Sequence, residues 1–351
     1  MYTLNEKIRD LTPYEPIKGE YPIRLDANES FIQAPADMIN RAAAKLASGI
    51  NRYPDALAAE LCAAFAKQYG VDAANVAAGN GSDELISVIF GGFLMKGEKF
   101  ATLAYDFSMY DFYGSISEGV KVKIEKNDDF SVDVDKVIDI CNREDIKLLI
   151  FSNPCNPTSL GLKKEEVRKI ITSVKALVVL DEAYMDFWDQ SLLAEVTDYD
   201  NLLILKTCSK AFGLAAIRVG FAVGNETLIR AIKAVKSPYN VNSFSQFMAA
   251  ELLADKALSD AALKEILDSK AELDSAIREL NEKYSFAQYI PQSVTNFITI
   301  KTDKAGQIFE HLLTKGIAIR NFGAFLRITA GAPEENAMLL EELESFFKTI
   351  Q

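Results

Sequence analysis

Leu202-Leu203-Ile204-Leu205-Lys206 followed by Thr207-Cys208-Ser209-Lys210-Ala211-Phe212-Gly213-Leu214, with Arg218 eight residues beyond Lys210, is the stretch on which the fold turns. The first five residues read as a buried strand, and the small, polar, Gly-bearing residues after them read as a loop at its carboxyl end. A lysine is ordinarily a solvated surface group. Lys210, set among Ser, Ala, Phe and Gly straight after a buried strand, is instead placed for partial desolvation. Desolvation lowers an amine's pKa and suits it to Schiff-base chemistry. Arg218 offers a planar fork suited to a phosphate.

Working outward, short apolar or β-branched runs alternate with helical patterns between about residue 75 and residue 224. The expected strands are Lys99–Leu103, Val120–Ile124, Leu148–Ser152, Ala176–Leu180, Leu202–Lys206 and Arg218–Val223. Helices such as Ser82–Phe93 and Lys163–Val174 intervene. This alternation predicts an α/β fold with a mostly parallel sheet covered by helices on both faces, and ligands at the carboxyl ends of its strands. After Pro238 the pattern changes. A long amphipathic helix begins near Ala262, then come Asn296–Ile300, a helix near Ala305–Thr314, Ile317–Arg320, Leu326–Thr329 and a closing helix carrying Leu339, Leu343, Phe346 and Phe347. The expected division is an N-terminal arm with part of a smaller domain (1–45), a large domain (46–245) and a small α+β domain (246–351). The first forty or so residues show no long periodic element.

Three further stretches carry chemistry. Gly79-Asn80-Gly81-Ser82-Asp83-Glu84 opens an apolar helix. Free backbone N–H groups at a helix start make a phosphate cradle, although an ordinary N-capped turn has the same composition. Ser152-Asn153-Pro154-Cys155-Asn156-Pro157-Thr158 follows a strand, with two prolines fixing a loop that aims Asn156 or merely satisfies backbone groups. Val178-Val179-Leu180-Asp181-Glu182-Ala183-Tyr184 delivers two acids to the end of an otherwise apolar strand. A carboxylate there is costly unless it meets a cation, and a protonated pyridine nitrogen is such a cation. A metal-binding acid of an ATPase is the competing reading, but the chain has no G-x-x-x-x-G-K-[ST].

Composition narrows the classes. With 351 residues and a net charge of −12, the chain can bury a large core and lacks the basic balance that nucleic acid or an anionic membrane requires. Four cysteines without C-x-x-C spacing and a single His give neither a zinc pattern nor a disulfide framework. No metal is expected. The sequence shows no signal peptide and no run long enough to span a bilayer, so a reducing, cytoplasmic setting is expected.

Taken together, these motifs resemble the aspartate-aminotransferase-type enzymes that use pyridoxal 5′-phosphate, and within them the histidinol-phosphate aminotransferases. The likeness runs over nearly the whole chain. It includes Leu11-Thr12-Pro13-Tyr14, Leu25-Asp26-Ala27-Asn28-Glu29, Arg52-Tyr53-Pro54-Asp55, the four stretches above and Leu326-Arg327-Ile328-Thr329. The resemblance implies a large domain of the PLP-transferase fold with a smaller α+β domain, and a Schiff base on Lys210, which also carries the proton between substrate Cα and the cofactor. It implies that Asp181 keeps the pyridine nitrogen protonated, that Asn156 and Tyr184 bond the phenolic oxygen, and that Phe107 stacks on the ring. Ser82, Asp83 and Glu84 in the helix-start motif, with Ser209 and Arg218, are implied around the phosphate, and Tyr53 reaches it from a neighbouring subunit of a homodimer with shared sites. Tyr14, Asn28, Arg320 and Arg327 are implied to line the substrate site. The implied reaction is ping-pong transfer from L-histidinol phosphate to 2-oxoglutarate, giving imidazole acetol phosphate and L-glutamate in histidine biosynthesis.

The chain departs from the family pattern at several places: Thr158-Ser159 for Thr-Gly, Ala216 for Gly, Leu103-Ala104-Tyr105-Asp106 before Phe107, Glu29-Ser30-Phe31 for Glu-Asn-Pro, and a short connection between Arg320 and Arg327. Ser30, Phe31 and that connection lie near the expected substrate pocket, so other outcomes stay open. These are a threonine-phosphate decarboxylase-like lyase, an aminotransferase for aromatic or other amino acids, a silent cofactor binder, and, more remotely, a nucleotide-binding α/β protein, which the missing G-x-G-x-x-G disfavours.

Overall fold

The computed structural model describes residues 2–350 apart from 10, 14 and 16, so Tyr14 of the expected substrate site lies outside the described residues. In chain order the strands are β1 (Ile23–Arg24), β2 (Val76–Gly79), β3 (Lys99–Leu103), β4 (Val120–Ile124), β5 (Leu148–Ser152), β6 (Leu177–Asp181), β7 (Leu202–Thr207), β8 (Gly220–Gly224), β9 (Phe297–Lys301), β10 (Ile317–Ala318), β11 (Arg320–Asn321) and β12 (Phe325–Thr329).

Strands β2 to β8 form one seven-stranded sheet in the order β2-β8-β7-β6-β5-β3-β4. Its neighbours pair in parallel except β8, which runs antiparallel to both β2 and β7. The pleat sends alternate residues to opposite faces. Leu149, Phe151, Val178, Leu180, Leu202 and Ile204 enter one core, while Leu148, Ile150, Val179, Leu203 and Leu205 enter the other. Both faces are therefore apolar, which is why these strands read as continuous hydrophobic runs. Strand β8 starts at Gly220 instead of Arg218, because Arg218 closes the preceding 3-10 turn in the left-handed region (φ 54°).

A third core gathers Leu273 and Ile277 of the helix Lys256–Tyr284, Ile298 and Ile300 of β9, Leu326 and Ile328 of β12, and Leu339 and Leu343 of the closing helix. It also takes Ile23 and Leu25 from the start of the chain. Their segment is held by the parallel pairing of β1 with β10, Ile23 opposite Ile317 and Arg24 opposite Ala318. Strands β11, β12 and β9 form an antiparallel sheet beside it.

Three helices differ from the sequence reading. The helix expected near Ala262 begins at Lys256, where the Asp255 carboxylate caps Leu258 N at 3.0 Å. Residues 36–47, read as lacking periodicity, form a helix that buries Met38 and Ala42 against the core of the seven-stranded sheet. The helix Ser243–Ala254, which crosses the expected line at 245/246, packs into that same core through Met248, Ala249 and Leu253.

Candidate active site

Strands β5, β6 and β7 are parallel and end at Ser152, Asp181 and Thr207, so the loops after them share one rim of the sheet. Lys210 stands in the loop after β7, and its Nζ donates to the carbonyl of Ala27 at 2.9 Å. Burial pushes its amine down to about 8, and the nearby cations Arg327 and Arg218 push the same way against Glu29. A lysine so placed loses its proton close to neutral pH.

Asp181 and Glu182 part company because successive strand residues face opposite sides. Glu182 turns to Ser191 Oγ (2.6 Å) and Leu192 N (3.1 Å), away from Lys210, and burial raises it to about 7. Asp181 turns to the rim, where its Oδ2 accepts from the hydroxyl of Tyr110 at 2.7 Å and its Oδ1 from Ala183 N at 3.1 Å. Burial raises its carboxyl to about 6; Asp106 and Asp83 add to the rise, and the two hydrogen bonds oppose it.

Asn156 is aimed by its neighbours. Its N–H donates to Ser152 Oγ at 3.2 Å, and its Oδ1 accepts from Arg327 Nη1. Tyr184, raised to about 12 chiefly by burial, accepts from Asn28 Nδ2 at 2.8 Å. Phe107 meets Tyr110 edge-to-face at 5.5 Å and 81°. Arg327 reaches from β12 to Asp26 O through Nη2, and its guanidinium lies between the rings of Phe297 (5.4 Å) and Phe322 (5.7 Å). Arg320 sits directly opposite it across the β11–β12 pair.

The helix-start motif supplies the remaining wall. Gly81 adopts φ 85°, and a Cβ there would lie 2.7 Å from the guanidinium of Arg218. A Cβ on Gly220 would come within 2.2 Å of Ser82 N, so only glycine lets β8 pass the start of the helix Ser82–Phe93. Arg218 Nη1 also donates to Ser209 Oγ at 3.3 Å. Asp83 has a buried Oδ1 without a partner, while its Oδ2 accepts from the Tyr113 hydroxyl at 3.1 Å. Glu84 does not turn to this cradle: its carboxylate accepts from Asn80 N and Asn240 Nδ2, both at 2.6 Å, and so secures the loop.

The donors around this pocket fit pyridoxal 5′-phosphate. An arginine, a serine hydroxyl and a helix N-terminus suit a phosphate, a buried carboxylate suits a ring N–H⁺, and a depressed amine suits a carbonyl. Sequence reasoning did not assign site roles to Tyr110, Asp106 and Thr329. Tyr110 lies one helical turn after Phe107, a spacing that places both on one face and is the available signal. Asp106, half-buried, accepts from Phe107 N at 2.8 Å and from Ser152 Oγ, so the departure noted before Phe107 ties two rim loops together. Tyr53 does not join this constellation within the chain: it is 81% exposed and stacks on Tyr239 at 4.6 Å.

Comparison with known structures defines the class first. A histidinol-phosphate aminotransferase from Sinorhizobium meliloti, solved in complex with pyridoxal-5′-phosphate, matches with a TM-score of 0.85 at 23% identity, covering 95% of this chain and 92% of that one. An aspartate aminotransferase variant from Thermus thermophilus matches with a TM-score of 0.81 at 20% identity over 99% of both chains. The fold is thus the aspartate-aminotransferase fold. The family model of aminotransferase class I and II matches residues 21–343, and the chain belongs to that family: it is a PLP-dependent transaminase. Among its relatives, a histidinol-phosphate aminotransferase of Clostridium novyi (strain NT) is 40% identical over 335 residues, 94% of this chain and 93% of that protein. No helix among the described residues is long and apolar enough to cross a membrane, and no cluster of potential metal ligands occurs among them.

Proposed function

We propose that the protein transfers the amino group of L-histidinol phosphate to a 2-oxo acid, 2-oxoglutarate by the products of the implied reaction, as a step of histidine biosynthesis in the cytoplasm. The observation that carries this reading is Lys210 at the rim of the sheet, its Nζ on the carbonyl of Ala27 at 2.9 Å and its amine depressed to about 8 by burial and the nearby Arg327. The shared name of relatives 32–40% identical over nearly their full length supports the substrate.

When bound, the cofactor supplies an electron-withdrawing ring that stabilises the charge left on substrate Cα after its proton departs. Lys210 would hold the cofactor and, once freed by substrate, would serve through Nζ as the base that accepts and returns the Cα proton. Its low affinity for a proton serves both tasks, since nucleophile and base must each be uncharged. Asp181 holds a proton on the ring nitrogen, and that cation in turn favours the carboxylate form of Asp181. Asn156 and Tyr184 would hold the phenolic oxygen, and Phe107 would pack against the ring. Ser82 and Asp83 (through N–H), Ser209 and Arg218 hold the phosphate. Arg327 and Arg320 bind the anionic groups of the two substrates in turn, with Asn28 beside them.

The same reading includes a homodimer in which Tyr53 reaches the phosphate of the other subunit. Ile50 (74% exposed), Tyr53 and Leu57 (53%) form an outward apolar run that such a partner would cover. The expected divisions at 45/46 and 245/246 are each crossed by a helix that packs into the core of the seven-stranded sheet, so on this reading the large domain also takes in 36–45 and 246–254.

The test is visible absorption of the cofactor-loaded protein before and after L-histidinol phosphate. Bleaching of the lysine-bound band, reversed by 2-oxoglutarate, is the expected result. A band unmoved by this amine sinks the substrate assignment, and CO2 release from O-phospho-L-threonine without any acceptor replaces it with the decarboxylase outcome.

A further inference from the structure

Thr329 and Asn28 are 301 residues apart and bonded twice. Asn28 N donates to Thr329 Oγ1 at 3.1 Å, and Thr329 Oγ1 donates to Asn28 Oδ1 at 3.0 Å. Both residues are buried, and Asn28 is held in the left-handed region (φ 53°) with its carbonyl accepting from Asn296 Nδ2 at 3.3 Å. The threonine hydroxyl has one hydrogen. The acceptor it reaches is Asn28 Oδ1, and with the amide reversed that hydrogen would face an N–H2 group instead of an acceptor, which selects the end of the Asn28 amide that faces Tyr184. The amide nitrogen faces it, at 2.8 Å from the phenolic hydroxyl. Tyr184 therefore receives a hydrogen bond from Asn28 and must send its own proton elsewhere.

We infer that Thr329 and Asn28 are positioning residues that set the direction of the Tyr184 proton, keeping Tyr184 a donor toward the pocket occupied by the cofactor's phenolic oxygen. With the amide reversed, Asn28 Oδ1 would accept that proton and Tyr184 would turn its donor away from the ring. The role rests on the proposed assignment of Tyr184 to that oxygen. The charged and titratable groups around the Tyr184 hydroxyl are Arg327 from β12, Asp181 from β6, Cys155 in the Asn-Pro loop and Lys210, whose Nζ lies 5.9 Å from the Tyr184 ring centre. None of them fixes the orientation of the Asn28 amide.

A hydrogen bond donated to the phenolic oxygen stabilises its negative charge and weakens its hold on the neighbouring imine proton. Loss of that bond raises the pH at which the lysine-bound cofactor gives up the proton. The experiment is a pH titration of the visible band of holoprotein carrying Thr329→Val, Thr329→Ser, Asn28→Asp or Tyr184→Phe, with far-UV circular dichroism confirming the fold. Thr329→Val and Asn28→Asp are expected to raise the midpoint by about one pH unit, in the direction of Tyr184→Phe, while Thr329→Ser titrates like wild type. A folded Thr329→Val holoprotein at the wild-type midpoint, with Tyr184→Phe displaced, overturns the positioning role and leaves Tyr184 in place. Should Thr329→Val fail to fold, Asn28→Asp at the wild-type midpoint overturns it equally. A Tyr184→Phe midpoint that does not move overturns the Tyr184 assignment and the inference with it. A threonine that served only packing would alter the melting temperature and leave the midpoint alone.

Discussion

The hydroxyl of Tyr110 donates to Oδ2 of Asp181 at 2.7 Å, in a pocket where burial has already raised the Asp181 carboxyl to about 6. This bond opposes the rise. Tyr110→Phe removes it, so Asp181 holds its proton to a higher pH. The acid limb of the kcat profile is expected to move up by about one unit, so that kcat well below the limb falls by about tenfold. A profile superimposable on wild type would show that the bond has no part in holding Asp181 charged.

Lys210→Met is expected to abolish turnover and borohydride-reducible attachment of the cofactor. In cofactor-free protein it has a second, separable effect. The folded amine has its pKa lowered to about 8 from 10.5. Between those values the unfolded chain binds more protons, so wild-type stability rises with pH there. The cost of enclosing the ammonium is thus complete below pH 8 and gone above 10.5. Denaturant unfolding of the two apoproteins should show the variant's relative advantage shrinking across that window.

Gly220→Ala places a Cβ 2.2 Å from Ser82 N and 2.5 Å from Gly81 C, both backbone atoms with no freedom to swing aside. The helix start must shift, at a cost of roughly 1–3 kcal/mol. Cofactor titration should reveal weaker binding that outlasts any loss of fold at low temperature.

Arg327→Lys keeps the charge and loses the fork that joins Asn156 and Asp26 O. Steady-state kinetics should show KM rising on the order of 10–100-fold for both the phosphorylated amine and the oxo acid, with a smaller fall in kcat. An effect confined to one substrate would mean that Arg320 binds the other alone.

Co-expression of Tyr53→Ala with Lys210→Met tests the shared site. A hybrid dimer has one pocket with Lys210 from one chain and Tyr53 from the other, and so should recover about half the wild-type activity per dimer. If Tyr53 served its own chain, no pocket would be whole and no activity would return.

Much of this site is readable along the chain because its parts follow strands or open helices. The helix Ser82–Phe93 is legible to the residue, since Gly79-Asn80-Gly81 forces a break and an apolar period follows. Strand β2 is not, because Val-Ala-Ala-Gly has weak strand propensity and owes its form to pairing with β8. The helix 36–47 starts after Pro35 with no side-chain cap, so no local residue marks its start. The bonds from Tyr110 to Asp181 and from Thr329 to Asn28 depend on which segments the fold brings together, and local pattern carries no record of that. Asp181 and Glu182 are alike as adjacent acids, and only the pleat of β6 separates the one at the rim from the one tied to Ser191.

The pairing of β1 with β10 joins residue 23 to residue 317, and Arg327 closes on Asp26. A ribosome therefore releases nearly the whole chain before the pocket has its last wall. At ordinary elongation rates the strand at the start waits on the order of tens of seconds for its partner. The seven-stranded sheet, whose strands all lie between 76 and 224, has no such delay. Newly made chain thus carries its lysine on a finished scaffold before it owns a finished pocket, and cofactor capture becomes the closing act of synthesis.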